Sequence, residues 1–221
     1  MSGARDSYDP ARWRRACWDE PGTIYFWSGQ RRGAYEVFSN FAATPFRMPA
    51  WMPELGDVDF ATGEHAFQAA KASTVGEHER IRQALTPLAA KRIGRAITLP
   101  AGWDQQRHHV MLAVVRAKFA RGELREVLLG TRSALLAEDS PHDPVWGCRD
   151  RNGGYTGQNL LGRALMRVRD ELAADAEHPD RTLGITDASR SDRPQAVGVA
   201  PARTSHAHLR LVDGERGGLE R

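Results

Sequence analysis

One ten-residue stretch, Thr62-Gly63-Glu64-His65-Ala66-Phe67-Gln68-Ala69-Ala70-Lys71, constrains this chain more than any other. Glu64, Gln68 and Lys71 stand at i, i+4 and i+7, so a helix there carries all three on a single face. That face is polar where a core helix would be apolar. Its acid and its amine lie roughly 10 Å apart along the axis at a rise of 1.5 Å per residue. The separation is too long for a simple salt bridge and suits two groups that grip a sugar-sized ligand between them. The competing explanation is a solvated face, the commoner fate of charged residues; on this helix alone the two are evenly matched.

The lysines narrow the choice. Of 31 basic residues only Lys71, Lys91 and Lys118 are lysines, so arginine serves almost everywhere a generic surface cation is needed. A primary amine loses its proton when desolvated and then attacks a carbonyl, which a guanidinium does not. For Lys91, inside the amphipathic run Pro87 to Ile97, compositional drift is the preferred explanation.

A chain of 221 residues with 41% apolar content can bury one substantial core, and nothing suggests two. The expected organisation is an N-terminal extension over 1–22, a single domain over 23–172 and a disordered tail over 173–221. After Leu172 the sequence is rich in Asp, Arg, Gly, Pro and Ser without sustained periodicity, and such a segment cannot offset its ordering entropy. The calculated pI of about 9.1 reflects a mildly basic body, too weak a signal to argue for nucleic acid by itself. No run approaches the roughly 18 apolar residues of a membrane span, and the first residues lack the apolar core of a secretory signal. A cytoplasmic protein with no membrane association is expected. Cys17 and Cys148 show no metal-ligand spacing, His65 follows Glu64 without a second histidine one turn on, and His108 and His109 are adjacent. Neither a metal nor another cofactor is expected.

The patterning predicts an α+β fold that is predominantly helical, with a few short strands. Thr23 to Trp27 reads as a strand, Phe38 to Phe46 as an extended region broken by Pro45, and Arg47 to Asp59 as a loop. Thr62 as N-cap opens a helix to about Ser73, Glu77 to Leu85 makes a second, and Thr86-Pro87 supplies the cap and first-turn proline of a third. Trp103 to Ala120 is the longest, with Val110, Val114 and Ala117 on one stripe and Met111, Val115 and Phe119 beside it. Leu124 to Leu136 continues as helix with a break near Gly130-Thr131. Leu161, Leu165, Val168 and Leu172 mark a terminal amphipathic helix.

Between the last two helices, Glu138 to Gly147 and Asn152 to Asn159 combine carboxylates, a tryptophan and glycines. Glycines let a backbone approach a ligand closely, and the first N–H groups of the following helix could receive a phosphate. The plainer reading is a turn with Asn159 as N-cap, Trp146 as a core plug, and Asp143 as turn chemistry before Pro144.

Taken together, FSNF at 38–41, EHAFQAAK at 64–71, AKRIGR at 90–95, W-x6-VM at 103–111, AKF at 117–119, D-x2-WG at 143–147 and GQNLLGRALMRVR at 157–169 resemble the YbiA-like, or NADAR, family. Seven segments in order over one domain make a specific signal. The chain departs from the family pattern at Gly63, where a serine usually precedes the glutamate, and in the length of the Arg47 to Asp59 loop.

The resemblance implies an N-glycosidase that cleaves the bond between a ribose and a base or base-like amine. The implied substrate is a small phosphorylated ribosyl compound or nucleotide, namely an early riboflavin-pathway intermediate, or else ADP-ribosylated guanine in nucleic acid. A sensor that binds ADP-ribose without turnover is the non-catalytic alternative. Carried over by motif position, Glu64, Lys71 and Asp143 are the implied catalytic residues. Phe38, Ser39, Asn40, Trp103, Trp146, Gly147 and Asn159 are the implied substrate-binding residues. Breaking a ribosyl C–N bond builds positive charge at C1, which a carboxylate such as Glu64 stabilises. Asp143 could protonate the departing amine if burial or another carboxylate such as Glu138 raised its pKa. A cluster of Arg31, Arg32, Arg47, Arg149 and Arg151 at one mouth would favour nucleic acid or pyrophosphate.

Overall fold

Three threonines punctuate the centre of the chain, and each starts a helix. The computed structural model describes residues 22–27, 33–151 and 154–177. Residues 1–21 of the N-terminal extension and the chain beyond 177 lie outside the described residues, as do Arg31 and Arg32.

In chain order the elements are β1 (Ile24–Phe26), a 3-10 helix (Gly33–Phe38), β2 (Phe46–Pro49), a 3-10 turn (Pro53–Leu55) and β3 (Asp57–Phe60). The helices α1 (Gly63–Ala69), α2 (Val75–Arg82), α3 (Pro87–Ala96), α4 (Trp103–Lys118) and α5 (Gly122–Gly130) follow. The chain continues through β4 (Leu136–Glu138), the hairpin strands β5 (Arg149–Arg151) and β6 (Gly154–Thr156), and α6 (Leu160–Glu177). Thr62, Thr74 and Thr86 precede α1, α2 and α3 in extended conformation, and their side-chain oxygens accept from the amides of His65, Glu77 and Ala89. Each cap satisfies one orphan N–H and is worth about 1 kcal/mol.

The core lies where α1 packs on α2, α3 and α4, and where α4 and β4 pack on α6. Every residue of α1 is buried, the charged Glu64 included. His65 is locked inside it, its Nδ1 2.8 Å from the Thr62 hydroxyl and its Nε2 3.0 Å from the Ala84 carbonyl oxygen. Both ring nitrogens are thus engaged. β1 runs parallel to β4, with Phe26 opposite Glu138. β2 and β3 form an antiparallel hairpin.

Several elements differ from the sequence expectation. Phe38 ends a 3-10 helix rather than opening a strand, and the chain turns at Ser39–Ala42 before β2 begins at Phe46. Arg47 to Asp59 is a hairpin because its Pro53 and Gly56, which spoil a strand pattern, sit in the connection and leave the ladder intact. Gly56 has φ of 60°. The helix starting near Leu124 stops at Gly130, and Leu136–Glu138 becomes β4. A strand of three residues is too short for periodicity to separate from a buried helical turn. Residues 173–177 extend α6 and are not tail. Among the described residues no helix is long and apolar enough to cross a membrane.

The α6–β4 contact is close: a Cβ on Gly162 would collide with the Leu136 carbonyl oxygen and the Asn159 amide, whereas one on Gly76 in α2 meets nothing within 4 Å. Gly162→Ala is therefore expected to destabilise by about 1–3 kcal/mol. Gly76→Ala should be neutral or stabilising by up to about 1 kcal/mol. Urea unfolding midpoints of the two variants check this.

Candidate active site

The polar face of α1 forms the floor of a cavity of about 520 Å³, closed on its sides by α3, α4 and the loop after β4. Along that floor the Gln68 amide donates to Glu64 Oε1 at 2.7 Å, and Lys71 Nζ donates to Gln68 Oε1 at 2.7 Å. One glutamine thus joins acid to amine across the distance that the i, i+7 spacing demands. Gly94 of α3 makes room for it, since a Cβ there would collide with the Gln68 carboxamide.

Burial sets the electrostatics of this row. It lifts the Glu64 carboxyl above its ordinary range, helped by Asp143 and opposed by Lys91, the Gln68 hydrogen bond and Lys71. It lowers the Lys71 ammonium, helped by Arg95 and Lys91 and opposed by Glu64. A carboxylate that binds protons more readily and an amine that sheds them more readily stand on one helix face.

Above the row the wall is aromatic. Phe67 packs against Trp103 at 5.5 Å between ring centroids and edge-on against Trp146 at 5.1 Å. Lys71 Nζ lies 5.5 Å from the Trp103 ring. Lys91, Arg95 and Arg107 line the cavity as cations, and Glu138, Asp143 and His142 line it from the β4 side. Lys91 Nζ lies 5.4 Å from the Phe41 ring.

Asn40 locks the start of α1. Its carbonyl accepts the Glu64 amide at 2.9 Å, and its Nδ2 donates to Met111 Sδ at 3.2 Å. A Cβ at position 63 would lie 2.5 Å from Asn40 Oδ1, so glycine there lets the carboxamide rest against the helix. The neighbouring Ser39 carbonyl accepts from Lys118 Nζ at 2.9 Å. Lys118 is only 3% exposed, and burial pushes its pKa down to about 7.

The NADAR domain family matches residues 25–173, two thirds of the chain. The chain belongs to the NADAR family. It is 37% identical over 145 residues to N-glycosidase YbiA of Escherichia coli K12, an alignment covering 64% of this chain and 84% of that one. It is 37% identical over 158 residues to an N-glycosidase of Nostoc punctiforme, covering 68% and 92% respectively. It is 34% identical over 154 residues to the chloroplastic riboflavin biosynthesis protein PYRR of maize, covering 62% of this chain and 23% of that protein. The NMR structure of E. coli YbiA matches with a TM-score of 0.60 at 34% identity, covering 77% of this chain and 96% of that one.

Within this NADAR domain, Glu64, Lys71, Asp143, Asn40, Trp103 and Trp146 come together around the one cavity. Phe38, Ser39, Gly147 and Asn159 do not line it and act behind it. Phe38 is a core residue packed on Phe26 and Phe119. Ser39 is a turn held by Lys118. At Gly147 a Cβ would lie 2.6 Å from the Glu138 carbonyl oxygen, so the glycine permits a backbone crossing. Asn159 stands at the N-cap position of α6, its carbonyl accepting the Arg163 amide at 3.1 Å, but its side chain serves β4 instead: with φ of 49°, its Oδ1 accepts from the Glu138 amide at 3.1 Å and its Nδ2 donates to the Leu136 carbonyl at 2.8 Å. Asp143 Oδ1 accepts from the Val145 and Trp146 amides at 3.2 and 3.0 Å.

Sequence reasoning passed over Lys91, Arg95 and Arg107. The i, i+4 spacing of Lys91 and Arg95, and of Trp103 and Arg107, was the available signal. Compositional drift does not account for Lys91, which lines the cavity. Of the arginines whose clustering would favour nucleic acid, Arg47 pairs with Asp59 at 3.2 Å on the exposed hairpin and Arg149 donates to the Pro141 carbonyl, and neither lines the cavity.

Lys118 yields a pH test. Its ammonium in the unfolded chain has the ordinary value of 10.5 against about 7 when folded. The unfolded chain therefore binds more protons between those limits, and stability rises with pH across the window. Relative to Lys118→Met, the parent protein should gain up to about 1.4 kcal/mol per pH unit between pH 7 and 9.5, read from urea titrations at several pH values.

Proposed function

We propose that this NADAR domain hydrolyses the bond between ribosyl C1 and nitrogen in a phosphorylated ribosylamine, and that ribosylaminopyrimidine phosphates from early riboflavin biosynthesis are its substrates in the cytoplasm. The chain is an N-glycosidase, a hydrolase of N-glycosyl bonds, as its relatives in E. coli and Nostoc punctiforme are named. The narrower substrate reading draws support from the riboflavin biosynthesis protein of maize and above all from the hydrogen-bonded row Glu64–Gln68–Lys71 on the cavity floor.

Each wall has a use in that reaction. C1 becomes positive as the C–N bond lengthens, and the Glu64 carboxylate stabilises it and takes a proton from the attacking water. The Trp103–Phe67–Trp146 wall stacks the heterocycle. Lys91, Arg95 and Arg107 hold the phosphate. Lys71 sits on the floor, tied to Gln68, and its lowered pKa makes it a nucleophile for C1, giving an imine with the opened ribose. Water then releases the sugar.

Removal of ADP-ribose from guanine in nucleic acid uses the same bond chemistry. Of the arginine set that would mark a nucleic-acid mouth, Arg47 and Arg149 do not line the cavity. A sensor has no need of a paired acid and amine at the floor.

Glu64→Gln should keep the fold and lower turnover about 10²–10⁴-fold. The check is mass spectrometry of free base and free sugar phosphate, with ribosylaminopyrimidine phosphates and ADP-ribosylated guanosine DNA as parallel substrates. Release from the second alone would replace the riboflavin reading, and binding of ADP-ribose with no release from either would replace the enzyme reading. Lys71→Arg should also lose turnover, and borohydride should trap the sugar on Lys71 of the parent protein. Substantial turnover by Lys71→Arg would exclude the imine.

A further inference from the structure

A departing amine must take up a proton, and the row on α1 does not supply a second carboxylic acid. Asp143 is committed as an acceptor to two backbone amides of its own turn. Glu138 is different. It ends β4, its side chain lines the cavity, and no described side chain hydrogen-bonds its carboxyl.

Its backbone is held from every direction. The Glu138 amide donates to Asn159 Oδ1 at 3.1 Å, and its carbonyl accepts from the Cys148 amide at 2.8 Å and the Ser140 amide at 2.9 Å. β1 pairs beside it, and the Asp139 amide donates to the Phe26 carbonyl at 2.9 Å. Asn159 also takes the Leu136 carbonyl, and Gly147 and Gly162 leave the space this crossing needs. Such a clamp fixes where one side chain points into the cavity.

We propose that Glu138 is the general acid of the N-glycosidase reaction. The assignment rests on the N-glycosidase reading above. The C1–N bond breaks with its electron pair going to nitrogen, and the Glu138 proton passes to that nitrogen, so the amine leaves neutral. Water adds its oxygen to C1, directly or by releasing the Lys71 imine, and gives a proton to Glu64. Exchange of one proton with solvent then restores both carboxyls.

The charges around Glu138 fit this task. Burial pushes its pKa up to about 8, Asp143 and Glu64 push in the same direction, and Lys91 opposes them. His142 lines the cavity from the same loop as Asp143, and Lys71, Arg95 and Arg107 complete the charged lining. Below about pH 8 the acid holds its proton, while Glu64, bonded to Gln68 and facing Lys91 and Lys71, serves as base. Two carboxyls with different neighbours in one cavity, one beside an amide and cations and one at the end of β4, divide the base and acid roles between them.

The test compares the parent protein, Glu138→Gln and Glu138→Asp on two ribosyl 5-phosphates, one with an aminopyrimidine leaving group and one with 4-nitrophenolate, which leaves without prior protonation. Glu138→Gln is expected to lose about 10²-fold or more on the amine and to stay within a few-fold of the parent on nitrophenolate. The parent's kcat/KM on the amine should fall above about pH 8, and the residual activity of Glu138→Gln should lack that limb. Glu138→Asp should restore part of the loss. Equal loss on both substrates would overturn the assignment, because a structural defect is indifferent to the leaving group; so would no loss on either. A parent protein that cleaves neither substrate would overturn the N-glycosidase reading itself.

Discussion

Burying a charged helix face is the constraint on which the rest of this structure depends. α1 sits among α2, α3 and α4 with its acid and its lysine inside, and an unpaired buried charge costs several kcal/mol. Gln68 resolves this by donating to one charge and accepting from the other. The neighbouring chain is shaped by that row: Gly94 yields space to Gln68, Gly63 yields space to Asn40, and the Asn40 carbonyl takes the Glu64 amide. Thr62 and His65 secure the end of the helix from which Glu64 projects.

The cavity over this row divides into regions with separate physical roles. The floor holds groups whose protonation burial has moved toward neutrality. The aromatic wall offers flat apolar surface. The cations on α3 and α4 give a positive edge that would draw a phosphate and set the sugar's direction. Glu138 and Asp143 face them from the β4 side. A cavity with acid, base, cation and stacking surface on different elements suits a reaction that separates charge along one bond.

Much of this was legible in the sequence where local chemistry decides the outcome. Threonine caps followed by helical patterning located α1 and α3, and the i, i+4, i+7 spacing located the polar row. The segments that resemble the NADAR family put Glu64, Lys71, Asp143, Asn40, Trp103 and Trp146 in one site, and the fold brings them to one cavity. What failed to show depends on contacts distant in sequence. The β2–β3 hairpin hides behind Pro53 and Gly56. β4 is a three-residue strand whose partner β1 lies more than a hundred positions earlier. Asn159 and Gly147 look like ligand-loop residues because close backbone crossings and ligand loops call for the same amino acids. Lys91 looks like surface because its helix is amphipathic, and only the packing of α3 on α1 turns that side chain inward.

The central claim is that a ribosyl C1 sits at the Glu64–Gln68–Lys71 row with its 5-phosphate toward the cations. A crystal structure with ribose 5-phosphate bound tests it most directly. The account predicts C1 within hydrogen-bonding or bonding reach of Glu64 and Lys71, the phosphate on Lys91, Arg95 or Arg107, and the Glu138 carboxyl on the side from which nitrogen departs. A sugar bound with its phosphate on the floor and C1 turned to solvent would contradict it.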